Sequence, residues 1–282
     1  MVLDWIRARG ARPRAVAAVQ ARISDALWTQ TMASYPFFAA MRPEEHEALR
    51  ARSAWVLASK TFNGAGGLVL DDTIQLAIAA QAALPILNLN PSLYDGWEEI
   101  IVYPSGFLVP RSHQDEAGVV HEFVESASGE AWEGGPLVLS WEDARAQASA
   151  YNVVIHEFAH KLDLNTGEAT GMPALHHHKE IEPRRWLRVL DDSLARFRAA
   201  LDSVEAAIPS TVDPDSDAAD EWYHRLPLDP YAATDEAEFF AVSSEHFFAD
   251  PAPMAEALPA WFALLCAYYR QDPLTRIMAR LA

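Results

Sequence analysis

The stretch Val153-Val154-Ile155-His156-Glu157-Phe158-Ala159-His160-Lys161-Leu162-Asp163 decides how the rest of the chain is interpreted. In an α-helix, residues four apart lie one above the other, so His156 and His160 can point both imidazoles at one metal ion. Glu157 is rotated by about 100° from His156, which brings its carboxylate close to that ion without making it a ligand. The apolar residues before His156 would bury this helix, and buried ionisable groups are costly unless something pairs with them.

These residue types at this spacing are typical of a zinc hydrolase, in which two neutral nitrogen ligands stand beside a carboxylate base and an activated water. A catalytic zinc usually needs a third protein ligand. In the metzincin subclass, Gly would stand at position 163 and His at 166, whereas this chain has Asp163 and Thr166. The sequence therefore excludes that subclass and leaves the third ligand to another helix.

Three further carboxylates are candidates for places around the metal. Asp163 follows His160 on a similar helix face. We expect Asp163 to hold an imidazole N–H rather than the metal, because one straight helix cannot easily aim three residues at a tetrahedral centre. The best candidate for the third ligand is Glu238, in a helical pattern over 235–249. Glu245 lies two turns further on the same face and is either a carboxylate behind the ligands or a surface charge.

The pattern of residues along the chain predicts an α+β fold. Residues 14–60 are typical of helices broken at Tyr35-Pro36 and Arg42-Pro43, and a further helix is predicted from Asp71 to about Ala83. Short β-rich runs then predict a small, mostly antiparallel sheet. The runs are 99–103, 118–124 and 136–140.

The second half of the chain is predicted to be largely helical. One uninterrupted helix is expected from the Ser140 cap to Leu164, and a last one from Pro259 to Leu281. We divide the chain into an N-terminal helical segment (1–60) and a catalytic domain (61–282). This domain has an α/β part (61–164) and a helical part (165–282).

Composition bounds the partners and the compartment. The formal net charge is -18, from 40 acidic and 22 basic residues, which argues against binding to nucleic acid. No apolar run approaches the roughly 20 residues needed to cross a bilayer, so no membrane association is expected. Cys266 is the single cysteine, which is typical of the reducing cytoplasm. The acidic stretch 202–221 is either an exposed loop or the electrostatic lip of a cleft.

Two strings carry a resemblance to a known family. The string His156–Asp163 resembles the signature of the Mlc titration factor A family of bacterial zinc peptidases, and the string Tyr231–Val242 is similar to that family too. Both also resemble the catalytic domain of anthrax lethal factor, in which a Tyr precedes the third-ligand Glu by seven positions, as Tyr231 precedes Glu238. Lethal factor has a further Glu where this chain has Val242. The similarity extends over about residues 35–270.

The resemblance implies a gluzincin-like fold and a set of roles. His156, His160 and Glu238 would hold one Zn2+ per chain. Glu157 would be the general base, and Tyr231 would be an electrophilic donor to the substrate. We also expect the strand Leu137-Val138-Leu139, just before the helix, to bind the substrate backbone as an added strand.

Two functions from different classes follow from the resemblance. The first is a zinc-dependent peptidase acting on peptide substrates, aminopeptidase-like, with a role in regulating glucose uptake through a transcriptional repressor of the Mlc type. The alternative is a zinc-containing regulatory protein that binds and sequesters such a repressor without significant catalysis; a structural metal protein with no partner is a third reading. Glu157 favours catalysis, because a structural zinc site does not need a base and usually closes with a fourth protein ligand.

Overall fold

The N-terminal part of the chain is helical, as predicted. The structure is a computed structural model that describes residues 13–114, 120–145, 150–214 and 216–281, so the start of the predicted N-terminal segment lies outside it. Prolines at the first turn fix φ for a helix start and explain both predicted breaks. The helices are α1 (13–22), α2 (Asp25–Ser34) and α3 (Pro43–Ser59).

A mixed four-stranded sheet follows, with the order β1-β2-β6-β5. The predicted mostly antiparallel sheet is wrong here, because two of its three pairings are parallel and only β5 with β6 is antiparallel. Helix α4 (Asp72–Ala83), capped by Asp71 as predicted, carries the chain back between β1 and β2, and such a crossover is what parallel neighbours need. The strands are β1 (Thr61–Gly64), β2 (Glu99–Tyr103), β5 (Gly129–Ala131) and β6 (Leu137–Ser140).

A separate two-stranded ribbon lies between β2 and β5 in the chain. Strands β3 (Phe107–Gln114) and β4 (Val120–Ala127) pair antiparallel over their whole length. Residues 120–124 of the strand predicted at 118–124 belong to β4, and residues 118–119 lie outside the described ranges. The sequence reading missed β3, because Pro110 argues against a strand.

The predicted helix from 141 to 164 is wrong, because it is two helices: α5 (Trp141–Ala144) and α6 (Val153–Asp163). Asn152 has extended φ and ψ, and its side chain accepts a hydrogen bond from the Ile155 amide at 2.9 Å. That N-cap starts α6 three residues before His156. The helix ends where predicted, at a turn that closes on Gly167 with φ 112°.

The rest of the described chain is largely helical. The predicted last helix from 259 to 281 is two helices, because Arg270 adopts the left-handed conformation and Pro273 then starts a new helix. The acidic stretch 202–221 begins in the last turn of one helix and ends in a short second one. The helices are α7 (Pro183–Glu205), α8 (Asp220–Tyr223), α9 (Glu236–Ala249), α10 (Pro251–Ala257), α11 (Pro259–Tyr269) and α12 (Pro273–Leu281).

One hydrophobic core joins these elements, with buried residues from Ile23 to Tyr269 in a single cluster. The helices before residue 60 contribute Trp28 and Phe38 to it, while the boundary at 60 stays a prediction. Helix α6 packs against α9, and this contact brings the two halves of the predicted site together. Within the described ranges, no helix is both long and apolar enough to cross a membrane.

Candidate metal centre

His156 and His160 face each other across one turn of α6. Their Nε2 atoms lie 3.1 Å apart, and their rings meet edge to face with centroids 4.7 Å apart. His156 is buried, and the side chain of His160 is 13% exposed. As the four-residue spacing predicts, both imidazoles point to the same place.

Glu238 reaches the same place from the first turn of α9. Asp235 caps this helix by accepting a hydrogen bond from the Glu238 amide at 2.9 Å, which fixes where the side chain starts. The Glu238 Oε2 atom lies 3.1 Å from Nε2 of His156 and 3.4 Å from Nε2 of His160. The structure thus brings the three predicted ligands together, and all three ligand atoms lie within 4.8 Å of one another.

The spacing of the three ligand atoms suits binding to one shared metal ion. Tetrahedral zinc binds nitrogen and oxygen at about 2.0–2.2 Å, which separates neighbouring ligand atoms by roughly 3.3 Å. The observed separations are 3.1, 3.1 and 3.4 Å. The Oε2 atom of Glu238 is buried and has no hydrogen-bond partner among the described residues. Buried acceptors without donors are costly, so this cluster could hold a cation.

Glu245 lies behind His156. Its Oε1 atom is 2.7 Å from Nδ1 of His156, and its Oε2 atom accepts a hydrogen bond from the Asn152 amide. A carboxylate that accepts the Nδ1 proton leaves the lone pair of Nε2 directed at the metal position. Glu245 is only 2% exposed, so the alternative that it is a surface charge is wrong.

Glu157 stands beside the ligand cluster and borders the cleft. The side chain is buried, and its Oε2 atom has no hydrogen-bond partner among the described residues. Burial raises the pKa of Glu157, while the nearby His156 and His160 oppose that rise. A carboxylate with a raised pKa and a free oxygen is suited to take a proton from a water molecule.

Tyr231 lies at the mouth of the site. It belongs to the short helical turn Pro230–Ala233, which Asp229 caps by accepting a hydrogen bond from the Tyr231 amide. Its ring centroid is 6.2 Å from that of His156, and the residue is 52% exposed. The phenol is therefore near the predicted ligands and open to a substrate.

Asp163 takes a different position from the one predicted. Among the described residues, its hydrogen bonds come from backbone amides of the loop after the helix, with Gly171 N at 2.6 Å, and not from an imidazole. The charge of the nearby His160 opposes the rise that burial causes in the pKa of Asp163. The sequence could not reveal this, because the loop returns to the helix end only in the folded chain.

An open cleft of about 810 Å³ leads to this cluster. The segment before β5 and the residues before α6 form one side, and the 220–231 region and α9 form the other. His246 lies in the cleft, where its Nε2 atom accepts a hydrogen bond from the Asp229 amide at 3.3 Å. Tyr151 lies there too, at a position that the sequence assigned to the inside of a helix.

The strand at the edge of the sheet beside the cleft is β5, not β6. Strand β6 has β2 on one side and β5 on the other, so the prediction that Leu137-Val138-Leu139 accepts an added strand is wrong. The free edge of β5 begins at Gly129, which lines the cleft beside Glu157. The sequence missed β5 because it has three residues and includes no β-branched one.

Comparison with known proteins agrees with this geometry. The model of the family described as glucose-regulated metallo-peptidase M90 matches residues 5–270. Mlc titration factor A of Pectobacterium atrosepticum is 37% identical over 251 residues, which is 88% of this chain and 87% of that protein. The protein of the same name from Serratia proteamaculans is 36% identical over 255 residues, 89% of each chain. The predicted resemblance to the Mlc titration factor A family is thus confirmed, and the chain belongs to the glucose-regulated metallopeptidase M90 family.

Proposed function

We propose that this protein is a zinc-dependent peptidase of the gluzincin type. One observation carries the proposal: two imidazole nitrogens and a carboxylate oxygen converge within 4.8 Å beside a buried glutamate that borders an open cleft. Membership of a metallopeptidase family supports the same conclusion. The donor set of two nitrogens and one oxygen favours zinc over magnesium or calcium, which prefer oxygen alone.

The ligands of the proposed zinc are His156, His160 and Glu238. When bound, zinc would supply a Lewis acid that polarises the scissile carbonyl and makes a water molecule more acidic. Glu157 would take the proton of that water as its oxygen attacks, and would then pass the proton to the leaving amine. The Tyr231 hydroxyl would donate a hydrogen bond to the oxyanion.

The cleft supports a peptide substrate with a positively charged end. Carboxylates of Asp220, Asp229 and Asp250 line it, and no lysine or arginine is among its described lining residues. The field of such a lining attracts a free α-amino group or a basic side chain. The negative charge of the cleft lining supports the aminopeptidase-like action. Because Asp220 belongs to the acidic stretch 202–221 and lines the cleft, it favours the interpretation of that stretch as the lip of the cleft.

Replacement of the base tests the proposal. Glu157→Gln keeps the shape of the side chain but cannot accept the proton, so we expect zinc content to stay unchanged and peptide hydrolysis to fall by about 10²–10⁴-fold. A fluorogenic peptide library measures the rate, and Glu142→Gln, an exposed glutamate on α5, is the matched control. Hydrolysis by Glu157→Gln at the wild-type rate would show the mechanism to be wrong.

The name of the relatives supports a second candidate function, in which this chain binds a repressor of the Mlc type. An effect on glucose uptake through that repressor stays a prediction from the resemblance. The two functions can coexist in one molecule. If both the wild-type protein and Glu157→Gln capture a purified repressor of this type, binding does not depend on catalysis. If neither protein captures the repressor, this candidate function is wrong. The cytoplasmic location and the lack of nucleic-acid binding stay predictions from composition.

A further inference from the structure

Gly129, the first residue of the edge strand β5, lies directly against the side chain of Glu157. A Cβ atom built on Gly129 would meet the Glu157 carboxylate first, and would lie 2.6 Å from Cγ and 2.7 Å from Cδ of that residue. Real Cβ atoms do not approach other heavy atoms closer than 3.0 Å. A side chain at position 129 would therefore force the Glu157 side chain or strand β5 to shift.

The backbone conformation at position 129 does not require a glycine. Six described glycines have positive φ, and Gly129 is not one of them. A glycine in a strand without such a conformation usually marks a close approach by another group. Here the approaching group is the carboxylate of Glu157.

One oxygen of this carboxylate has no polar partner among the described residues. Its Oε2 atom accepts no hydrogen bond from any described residue. Its position therefore depends in part on packing, and Gly129 of β5 lies against it. Strand β5 is itself fixed, because Gly129 pairs with Leu139 of β6.

We infer that Gly129 is a positioning residue: the absence of a side chain lets the edge strand support the Glu157 carboxylate where it faces the cleft. This inference rests on the proposed peptidase function. A methyl group at 129 would push the carboxylate away from that position or push β5 away from α6. A displacement of about 1 Å in a catalytic group can lower a rate by about 100-fold.

The first experiment compares Gly129→Ala with Gly135→Ala, a substitution in the turn between β5 and β6 whose added Cβ would lie 3.0 Å from the Trp132 side chain. We expect kcat for a fluorogenic peptide to fall about 100-fold in Gly129→Ala, with KM and zinc content close to wild type, and to stay near wild type in Gly135→Ala. A wild-type kcat in folded Gly129→Ala would overturn the inference.

The second experiment does not need activity. In a Glu157→Ala background the obstructing side chain is gone, so Gly129→Ala should lower the melting temperature of the otherwise wild-type protein and leave that of Glu157→Ala unchanged. An equal loss in both backgrounds would overturn the inference. If the wild-type protein hydrolyses no peptide, the proposed function fails while this melting comparison still tests the contact.

Discussion

At the scale of single residues, the site depends on the direction of one hydrogen bond. Glu245 has two donors to satisfy, the Nδ1 of His156 and the amide of Asn152. A carboxylate can accept from both, since each of its oxygens is an acceptor. The lone pair of His156 Nε2 then faces His160 and Glu238.

Glu245→Gln should weaken metal binding. A glutamine offers one acceptor oxygen and one NH2 group, so one of the two donors would face another donor. We expect the Kd for zinc to rise by about 10–100-fold, as is typical when the partner behind a ligating histidine is lost. Competition with a chromogenic chelator measures the Kd. Glu236→Gln, an exposed residue on the same helix, is the control, and an unchanged Kd in Glu245→Gln would contradict the account.

Spatial neighbours within one helix could be predicted from the sequence. Contacts between segments that are distant in the sequence could not. The spacing of His156 with His160, and of Glu238 with Glu245, follows from 3.6 residues per turn. The partners of Asp163 and the contact between Gly129 and Glu157 depend on where a loop and a strand return to α6. No local pattern records such contacts.

At the scale of elements, Lys161 holds the turn between β5 and β6 against α6. Its Nζ donates to the carbonyl oxygens of Trp132 at 2.6 Å, Gly135 at 2.9 Å and Pro136 at 3.3 Å. The same ammonium lies 4.7 Å from the centroid of the Trp97 ring. These contacts tie the helix of the metal ligands to the strand at the edge of the cleft.

Lys161→Met should destabilise the protein, because methionine keeps the apolar stem but removes three charged hydrogen bonds. The carbonyl oxygens of Trp132 and Pro136 keep a backbone donor, whereas that of Gly135 is left without one among the described residues. We expect the free energy of unfolding to fall by about 2–4 kcal/mol. Urea denaturation measures it, with Lys179→Met as the control, since Lys179 is exposed. A loss below about 0.5 kcal/mol, the range of ordinary surface substitutions, would contradict this role.

Element boundaries could be predicted where a local cap defines them. Asp71, Ser140 and Asp235 each accept a hydrogen bond from an amide three residues on, and each was expected at a helix start or just before one. The start of α6 was missed because no proline or glycine precedes Asn152. The parallel pairing was missed because it depends on strands far apart in sequence.

At the scale of the whole molecule, the residues of the proposed metal site come from α6 and α9, which share a single hydrophobic core. The buried carboxyl of Asp163 belongs to the same region. Burial raises its pKa from the usual 3.8 to about 6, and amides of the 170–172 loop partly oppose that rise. The folded state therefore holds the proton of this carboxyl more tightly than the unfolded state does.

Asp163→Asn should change the pH dependence of stability. Below pH 3.8 the carboxyl is protonated in both states, and above about pH 6 it is charged in both, so the wild-type protein loses stability as the pH rises between these values. At about 1.4 kcal/mol per pKa unit, the loss relative to Asp163→Asn is roughly 3 kcal/mol. Urea denaturation in chelator, from pH 4 to 7, measures the difference between the two proteins. A difference that stays constant over this range would contradict the assignment.

Anomalous diffraction at the zinc absorption edge tests the central claim most directly. We predict one peak per chain, about 2.0–2.2 Å from Nε2 of His156, Nε2 of His160 and a carboxylate oxygen of Glu238. Data collected just below the edge should lack the peak. A peak elsewhere, or a Glu238 side chain turned away from both imidazoles, would contradict the account.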